Sequence, residues 1–239
     1  MINWESFWQS YRMIDIRSDD DLLFQVALTV NGKAISKEIF DTIIQSIKKG
    51  LDLNSADILL DLCCGNGIIT YELSKLVSKV IGIDFSAPYI ENARKFKSSD
   101  KITYILHDVT ELESLELPKA TKILLYGSLA YLNADQVDKI FQALNKIGNK
   151  WVIIYFGSIL DKSNIWNFFN TTKRKIVYLL FYRMLGRDPG VGKWWSKSEI
   201  SSLAMKHGFG CNFIPQNLIL HTAHYRFDVI ISRKGINVS

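Results

Sequence analysis

At 239 residues the chain is long enough for one sizeable domain and too short for two well-built ones. Hydrophobic residues make up 48% and charged residues 22%, which excludes a disordered chain. A net charge of +5 and a pI of about 9.0 suit either a mildly basic soluble protein or one with anionic partners: phosphorylated metabolites, nucleic acid or a lipid surface.

The opening MINWESFWQSYR has no basic head followed by an apolar core, so it does not read as a secretory signal. Instead it is aromatic, with Trp4, Phe7, Trp8 and Tyr11. Asn31-Gly32 is a turn signal. Ile35, Ile39, Phe40, Ile43, Ile44 and Ile47 then recur at helical spacing, with Gly50 as the stop. Residues 1–50 are therefore expected to form a helical cap.

From residue 57 the rhythm changes. Ile58–Leu62 is a short apolar run ending in a Gly-bearing turn, the pattern of a buried parallel strand. A helix over Ile68–Leu76 and a strand over Lys79–Ile83 follow. Next come a helix from Ser86 to Phe96 and strands at Ile102–Leu106 and Lys122–Tyr126. Val137, Ile140, Phe141, Leu144 and Ile147 mark another helix, closed by Gly148, and Trp151–Phe156 is a fifth strand. This alternation predicts βαβ units and a parallel sheet. Residues 158–195 interrupt it as a long, basic, aromatic insertion. Ser196-Lys-Ser-Glu199 has the form of a capping box, opening a helix that ends at Gly208. Strands near Cys211–Pro215 and Tyr225–Ser232 are too closely linked for a parallel crossover and should pair as an antiparallel hairpin.

Cys63, Cys64 and Cys211 are an odd set without a spaced CxxC pair. That argues against a disulfide framework or a zinc site and for a reducing, cytoplasmic compartment. The apolar run Ile176–Leu185, broken by Arg183, falls short of the roughly 20 residues a membrane span needs.

The strongest chemical signal is Leu59-Leu-Asp61-Leu-Cys63-Cys-Gly65-Asn66-Gly67. Here a strand ends in an acid and a Gly-rich turn opens a helix, which lets the backbone approach a ligand and offers N–H groups to an anion. Asp84, in Val80-Ile-Gly82-Ile-Asp84-Phe85-Ser86, lies 17 residues after Gly67. An acid at the end of the second strand can accept hydrogen bonds from both hydroxyls of a ribose. A dinucleotide fingerprint wants a third glycine at position 70, which is threonine here. Asp108, in His107-Asp108-Val109, follows the third strand and reads either as a ligand contact or as a helix N-cap. The fourth strand ends in Tyr126-Gly127-Ser128 on the face where ligands bind in open parallel sheets.

These segments resemble the class I S-adenosylmethionine (SAM)-dependent methyltransferases, whose first motif is usually Asp-x-Gly-x-Gly-x-Gly; Cys63 stands at the first glycine. The resemblance covers about residues 55–157 and the terminal hairpin. It implies a single α/β domain over residues 1–239. The fold expected is a Rossmann-like seven-stranded sheet, five parallel strands plus a C-terminal antiparallel hairpin, with helices on both faces and a helical lid over 158–195. It also implies SAM as cofactor, leaving as S-adenosylhomocysteine (SAH). The binding residues implied are Asp61, Cys63, Gly65, Asn66, Gly67, Asp84, Phe85, Ser86, Asp108, Val109, Tyr126 and Gly127. Asp61 would balance the methionine ammonium, and Asp108 would hold the adenine amino group with Val109 on the ring. More narrowly, Asn31-Gly-Lys, Phe168-Phe-Asn-Thr-Thr-Lys-Arg174 and His224-Tyr-Arg-Phe-Asp228 are similar to small bacterial methyltransferases associated with surface-polysaccharide and nucleotide-sugar pathways.

The insertion and its exit carry Lys162, Lys173, Arg174, Lys175, Arg183, Arg187, Lys193 and Lys197 against Asp161 and Asp188. Such a charge suits a phosphate, an acidic sugar or a lipid-linked carrier, or else a solvated face. Trp166, Phe168, Phe169, Trp194 and Trp195 are either stacking platforms or the insertion's own core. His221, His224 and Tyr131 are the candidate catalytic groups, the histidines because they titrate near neutrality. The expected reaction is O- or N-methylation of a small, anionic or sugar-containing acceptor by direct transfer, without metal. Rival readings are an RNA or nucleotide methyltransferase, although the base-methylation motifs are absent, and a non-catalytic partner subunit. Others are a homodimer joined through the insertion and a peripheral membrane protein using Ile176–Leu185.

Overall fold

The computed structural model describes residues 3–186 and 190–233, with backbone alone at 181–183. Arg187 and Asp188, counted above among the insertion's charges, lie outside the described residues. The chain begins with α1 (Trp4–Ser10) and α2 (Asp19–Gln25), a small hairpin of β1 (Thr29–Val30) and β2 (Lys33–Ala34), and α3 (Lys37–Leu51). The central part is β3 (Ile58–Leu62), α4 (Ile68–Ser74), β4 (Lys79–Asp84), α5 (Ala87–Phe96), β5 (Ile102–Leu106), β6 (Ala120–Tyr126), α6 (Ala134–Ile147) and β7 (Gly148–Leu160). The insertion supplies α7 (Ile165–Phe168) and α8 (Thr172–Val177), which continues as wider, π-helical turns over Tyr178–Met184. The chain closes with α9 (Lys197–Lys206), β8 (Phe209–Pro215) and β9 (Arg226–Arg233).

The seven strands form one sheet in the order β5-β4-β3-β6-β7-β9-β8. β5, β4, β3, β6 and β7 are parallel, and β9 enters antiparallel between β7 and β8. Chain direction across the sheet reverses between β3 and β6, so a crevice opens at the carboxyl ends of β3, β4 and β6. The inner strands are buried on both sides, as their unbroken apolar runs predict. Leu60, Leu62, Ile123 and Leu125 face α6 and α9, while Leu59 and Leu124 face α2, α3 and α4. Helices thus cover both faces, as expected.

Local signals account for most helix ends. Ser196 and Glu199 make both bonds of the capping box, and Asn133 and Gln136 make another at the start of α6. Gly50 is a correction: the helix continues through it to Leu51, and Asp52, in the left-handed region, ends it. A Cβ at Gly50 would collide with the Tyr155 ring, so this glycine serves helix–sheet contact rather than termination. The fifth strand is longer than expected, running through Gly157 to Leu160 with a register shift against β9 between Phe156 and Ile159.

The insertion returns to the sheet through Trp195, whose N–H donates to the Leu160 carbonyl. Phe169 and Trp194 are buried with Leu160 and Ala130, and Phe168, Tyr178 and Tyr225 pack against them. Trp195 is fully buried in the main core, its Nε1 donating to the Leu129 carbonyl at 2.9 Å. Of the five aromatics weighed as stacking platforms, these four are core; Trp166 is 43% exposed.

Candidate functional site

A cavity of about 620 Å³ lies over the carboxyl ends of β3, β4 and β6, within the usual size range of small-molecule sites. Ten of the residues expected from sequence line it: Cys63, Gly65, Asp84, Phe85, Asp108, Val109, Tyr126, Gly127, Tyr131 and His221. Asp61, Asn66, Gly67, Ser86 and His224 do not.

The turn after β3 is built on backbone geometry. Cys63 (φ +57°), at the position where the motif usually has glycine, adopts the left-handed conformation that glycine accepts readily. Burial first, then the Asp84 charge, pushes its thiol pKa well up. Asp84 ends β4 and ties the turn to the next helix. Its Oδ2 accepts from the Gly65 N–H at 2.9 Å and its Oδ1 from the Ser86 N–H at 2.9 Å. Burial raises its carboxyl to about 6 against the opposing effect of those bonds. Asp61 is buried behind the turn, accepting from the Thr70 hydroxyl at 2.6 Å. Burial lifts it to about 7, and the Asp84 charge adds to the rise.

Two expected ligands are structural ties. Asn66 is fully buried, its Nδ2 donating to the Leu22 carbonyl at 2.8 Å and to Gln25 Oε1 at 2.9 Å, which clamps α2 to the glycine turn. The Ser86 hydroxyl donates to the Trp8 carbonyl at 3.3 Å and holds α1. Asp108 lines the cavity, and its Oδ1 caps the following turn by accepting from the Thr110 N–H at 2.8 Å. Gly127 (φ +75°) has nothing within 4 Å of where a Cβ would stand, so a side chain there would be strained and would enter the open site.

Sequence reasoning missed most of the opposite wall. Trp4 and Trp8 line the cavity and flank Tyr131, with ring centroids 4.7 and 5.0 Å from it. Trp8 Nε1 is buried without a partner. Ile39 and Ile43, read as the apolar stripe of a helix, reach the same space. Their aromatic and apolar patterns were visible, but nothing local says that they fold over a site.

The loop before β9 supplies Leu220, His221, Thr222, Tyr225 and Arg226. Tyr225 and Arg226 both donate N–H to the Thr222 carbonyl, closing a helical turn within it. His224 does not line the cavity, and its carbonyl accepts from Asn167 Nδ2, whereas His221, exposed like it, does. This corrects its placement beside His221. Burial, then Arg226 and His224, lower the pKa of His221.

Arg226 is the notable addition. Its Nη1 donates to the Ser158 carbonyl at 2.7 Å and to the Ser158 hydroxyl at 3.1 Å. Its Nε is buried without a partner. Ser158 takes a φ of +60° at the strand irregularity and itself lines the cavity, a use of irregular pairing to re-aim a side chain. The nearby Asp228 accepts from the Tyr155 hydroxyl, the Ser158 N–H and Gln216 Nε2, and the Arg226 charge acts on it without a direct ion pair. Among the described residues Arg226 forms no ion pair. Beyond Ser158, no described residue of the 158–195 insertion lines the cavity. The expected lid packs behind Tyr131 and Tyr225 instead.

Comparison with known proteins agrees with this geometry. A methyltransferase domain family model matches residues 59–149. An uncharacterized methyltransferase of Schizosaccharomyces pombe is 33% identical over 86 residues, 36% of this chain and 32% of its own. A putative RNA methyltransferase of Acanthamoeba polyphaga mimivirus is 33% identical over 90 residues, 36% of this chain and 23% of its own. The chain thus spans about a third or less of the length of these curated relatives. Among solved structures, DhpI in complex with SAH aligns with a TM-score of 0.62 at 12% identity, covering 97% of this chain and 96% of its own. The SAH-bound magnesium protoporphyrin IX methyltransferase of Synechocystis PCC 6803 aligns at 0.60 and 13% identity, covering 96% and 93%. Residues 59–149 thus match a methyltransferase domain, and the chain as a whole shares the Rossmann-like fold of the two SAH-bound structures.

Proposed function

We propose that the protein is a SAM-dependent methyltransferase acting on the oxygen or nitrogen of a small acceptor that carries an acidic group. The observation that carries this reading is the polarity of one cavity: carboxylates at Asp84 and Asp108 at one end, and at the other Arg226, held by Ser158 and with its Nε left without a partner.

The residues present fit the cofactor. Asp84 offers buried acceptor oxygens for ribose hydroxyls, Val109 an apolar surface for an adenine, and Gly127 open space where a Cβ would intrude. Trp8 Nε1 is an unused donor in the wall. When bound, SAM supplies an activated methyl group on a sulfonium. The protein's remaining work is to place the acceptor in line and to take up its proton. Arg226 would hold the acid by a charge-assisted bond, while Trp4, Trp8 and Tyr131 offer flat faces to a sugar ring. His221, its pKa lowered, is largely neutral at pH 7 and able to accept the proton of a hydroxyl acceptor.

A sugar acid would join the stacking surface and the guanidinium in one ligand, which supports a role beside polysaccharide or nucleotide-sugar chemistry. The free cysteines Cys63, Cys64 and Cys211 suit a reducing, cytoplasmic setting. The test is SAH release from SAM over paired acidic and neutral sugars, with wild type and Arg226→Gln. Preference for the acidic member, lost in the variant, is expected; equal rates on both members would refute the anionic acceptor. RNA is the second reading, favoured by the named RNA methyltransferase relative. It predicts binding that weakens steeply with salt.

A further inference from the structure

One face of the insertion is left uncovered by the rest of the described chain. From Ile165 to Gly186 the sequence has no aspartate or glutamate, but it has Lys173, Arg174, Lys175 and Arg183. The helix formed by α8 and its continuation runs over Thr172–Met184. Tyr178 is its inward contact, with its ring against Trp166 (5.5 Å) and Phe169 (4.7 Å). The other side is apolar and open: Ile176 is 51% exposed, Leu179 46%, Leu180 46%, Met184 75% and Leu185 59%. Ile176, Leu180 and Met184 recur every fourth residue, so the stripe belongs to one helix face. Scattered exposed aliphatics need no explanation, but a contiguous group of this size marks an interaction surface.

The charges select the partner. Lys173, Arg174 and Lys175 are exposed at the start of the helix, beside the aliphatic stripe. Trp166, partly exposed next to the helix, is the type of side chain that settles at a membrane–water boundary. Aliphatic side chains on one face, cations at the flank and no acids are the makings of a helix that lies in a lipid interface. A second copy of the chain fits less well, because a twofold contact through this patch would set the two cationic clusters in one shared interface. Among the described residues no helix is long and apolar enough to cross a membrane, so the contact would be peripheral.

We propose that the helix over Thr172–Met184 docks the protein on an anionic lipid surface. Ile176, Leu179, Leu180 and Met184 enter the interface, and Lys173, Arg174 and Lys175 meet the headgroup phosphates. The insertion core under this helix packs against Tyr131 and Tyr225, both of which line the cavity. A docked helix therefore sits one layer of side chains behind the acceptor wall. The docking does not depend on the methyltransferase reading.

The test is co-sedimentation of the full chain with sucrose-loaded vesicles. One set is phosphatidylcholine alone; the other is roughly seven parts phosphatidylcholine to three of phosphatidylglycerol. The wild type should sediment with the anionic vesicles and lose binding as added salt screens the headgroups. Ile176→Ser with Leu180→Ser should lower the partition coefficient about tenfold or more, because each exposed aliphatic loses its burial in the interface. Lys173→Gln, Arg174→Gln and Lys175→Gln should each cost about fivefold on anionic vesicles. Unchanged melting temperature and SAH affinity in these variants would show that they are folded and that docking is separate from the catalytic site. Failure of the wild type to bind anionic vesicles, or full binding by the Ile176→Ser/Leu180→Ser variant, would overturn the proposal. So would a dimer that the same variant dissolves, found together with no vesicle binding.

Discussion

The two ends of the cavity are held by different means. Around Asp84 the framework is backbone: N–H groups of Gly65 and Ser86 fix the carboxylate, and the left-handed Cys63 shapes the turn. Around Arg226 it is one long side chain reaching between distant segments: its Nη1 donates to the Ser158 carbonyl and hydroxyl on β7, and its own backbone N–H to the Thr222 carbonyl in the loop before β9. A turn closed within contiguous strand–turn–helix units is set by the fold itself, whereas a guanidinium borne on a loop can be respecified by one substitution. The first end therefore suits a cofactor common to the fold, and the second an acceptor particular to this protein.

Substitutions that separate the ends test this contrast. Asp84→Ala should have the largest effect, weakening SAH about 10³-fold in Kd, since charge-assisted bonds are lost in a dry site; calorimetry reads it directly. His221→Gln should lower kcat on a hydroxyl acceptor about 100-fold and remove the acid limb of the pH–rate profile, with SAH affinity unchanged. Arg226→Gln should raise KM for an acidic acceptor about 30-fold while leaving SAH affinity within about twofold. Arg226→Lys should recover only part of that loss, because ammonium lacks the planar fork. An equal loss of cofactor affinity in the Arg226 variants would show that the two ends are not independent.

The smallest effect concerns Asp61 and works on stability. Its folded-state pKa is raised to about 7 by burial, so the folded protein binds an extra proton between the unfolded value and pH 7. Stability from this group is full below that window and is lost as pH rises through 7. Asp61→Asn removes the buried charge. It should melt above wild type at pH 8 by about 2 kcal/mol, roughly 4–8 °C, with the gap closing toward pH 4. The same change should weaken SAM, if Asp61 balances the methionine ammonium through the turn.

The contrast also explains what was readable in the sequence. Leu59–Gly67 and Val80–Ser86 are contiguous strand–turn–helix units, so their local patterns predicted the positions of Cys63, Gly65, Asp84 and Phe85 in the cavity. Asn66 looked the same in the motif, but its burial against Leu22 and Gln25 depends on a helix more than forty residues away. Trp4 and Trp8 were visible as an aromatic stretch, and no local rule places such a stretch over a crevice. His221 and His224 were indistinguishable as residues. Only the fold of the loop before β9 separates them, with the first lining the cavity and the second not. Gly50 was misread because a glycine that ends a helix and one that admits an aromatic ring look alike until Tyr155 is in place.

The most direct test of the central claim is calorimetric titration of the purified chain with SAM, SAH and NAD, alongside Asp84→Ala. Binding of SAM and SAH, absent for NAD and lost in the variant, is the predicted result. Binding of NAD instead, or no binding of any of the three to folded protein free of co-purified ligand, would contradict it.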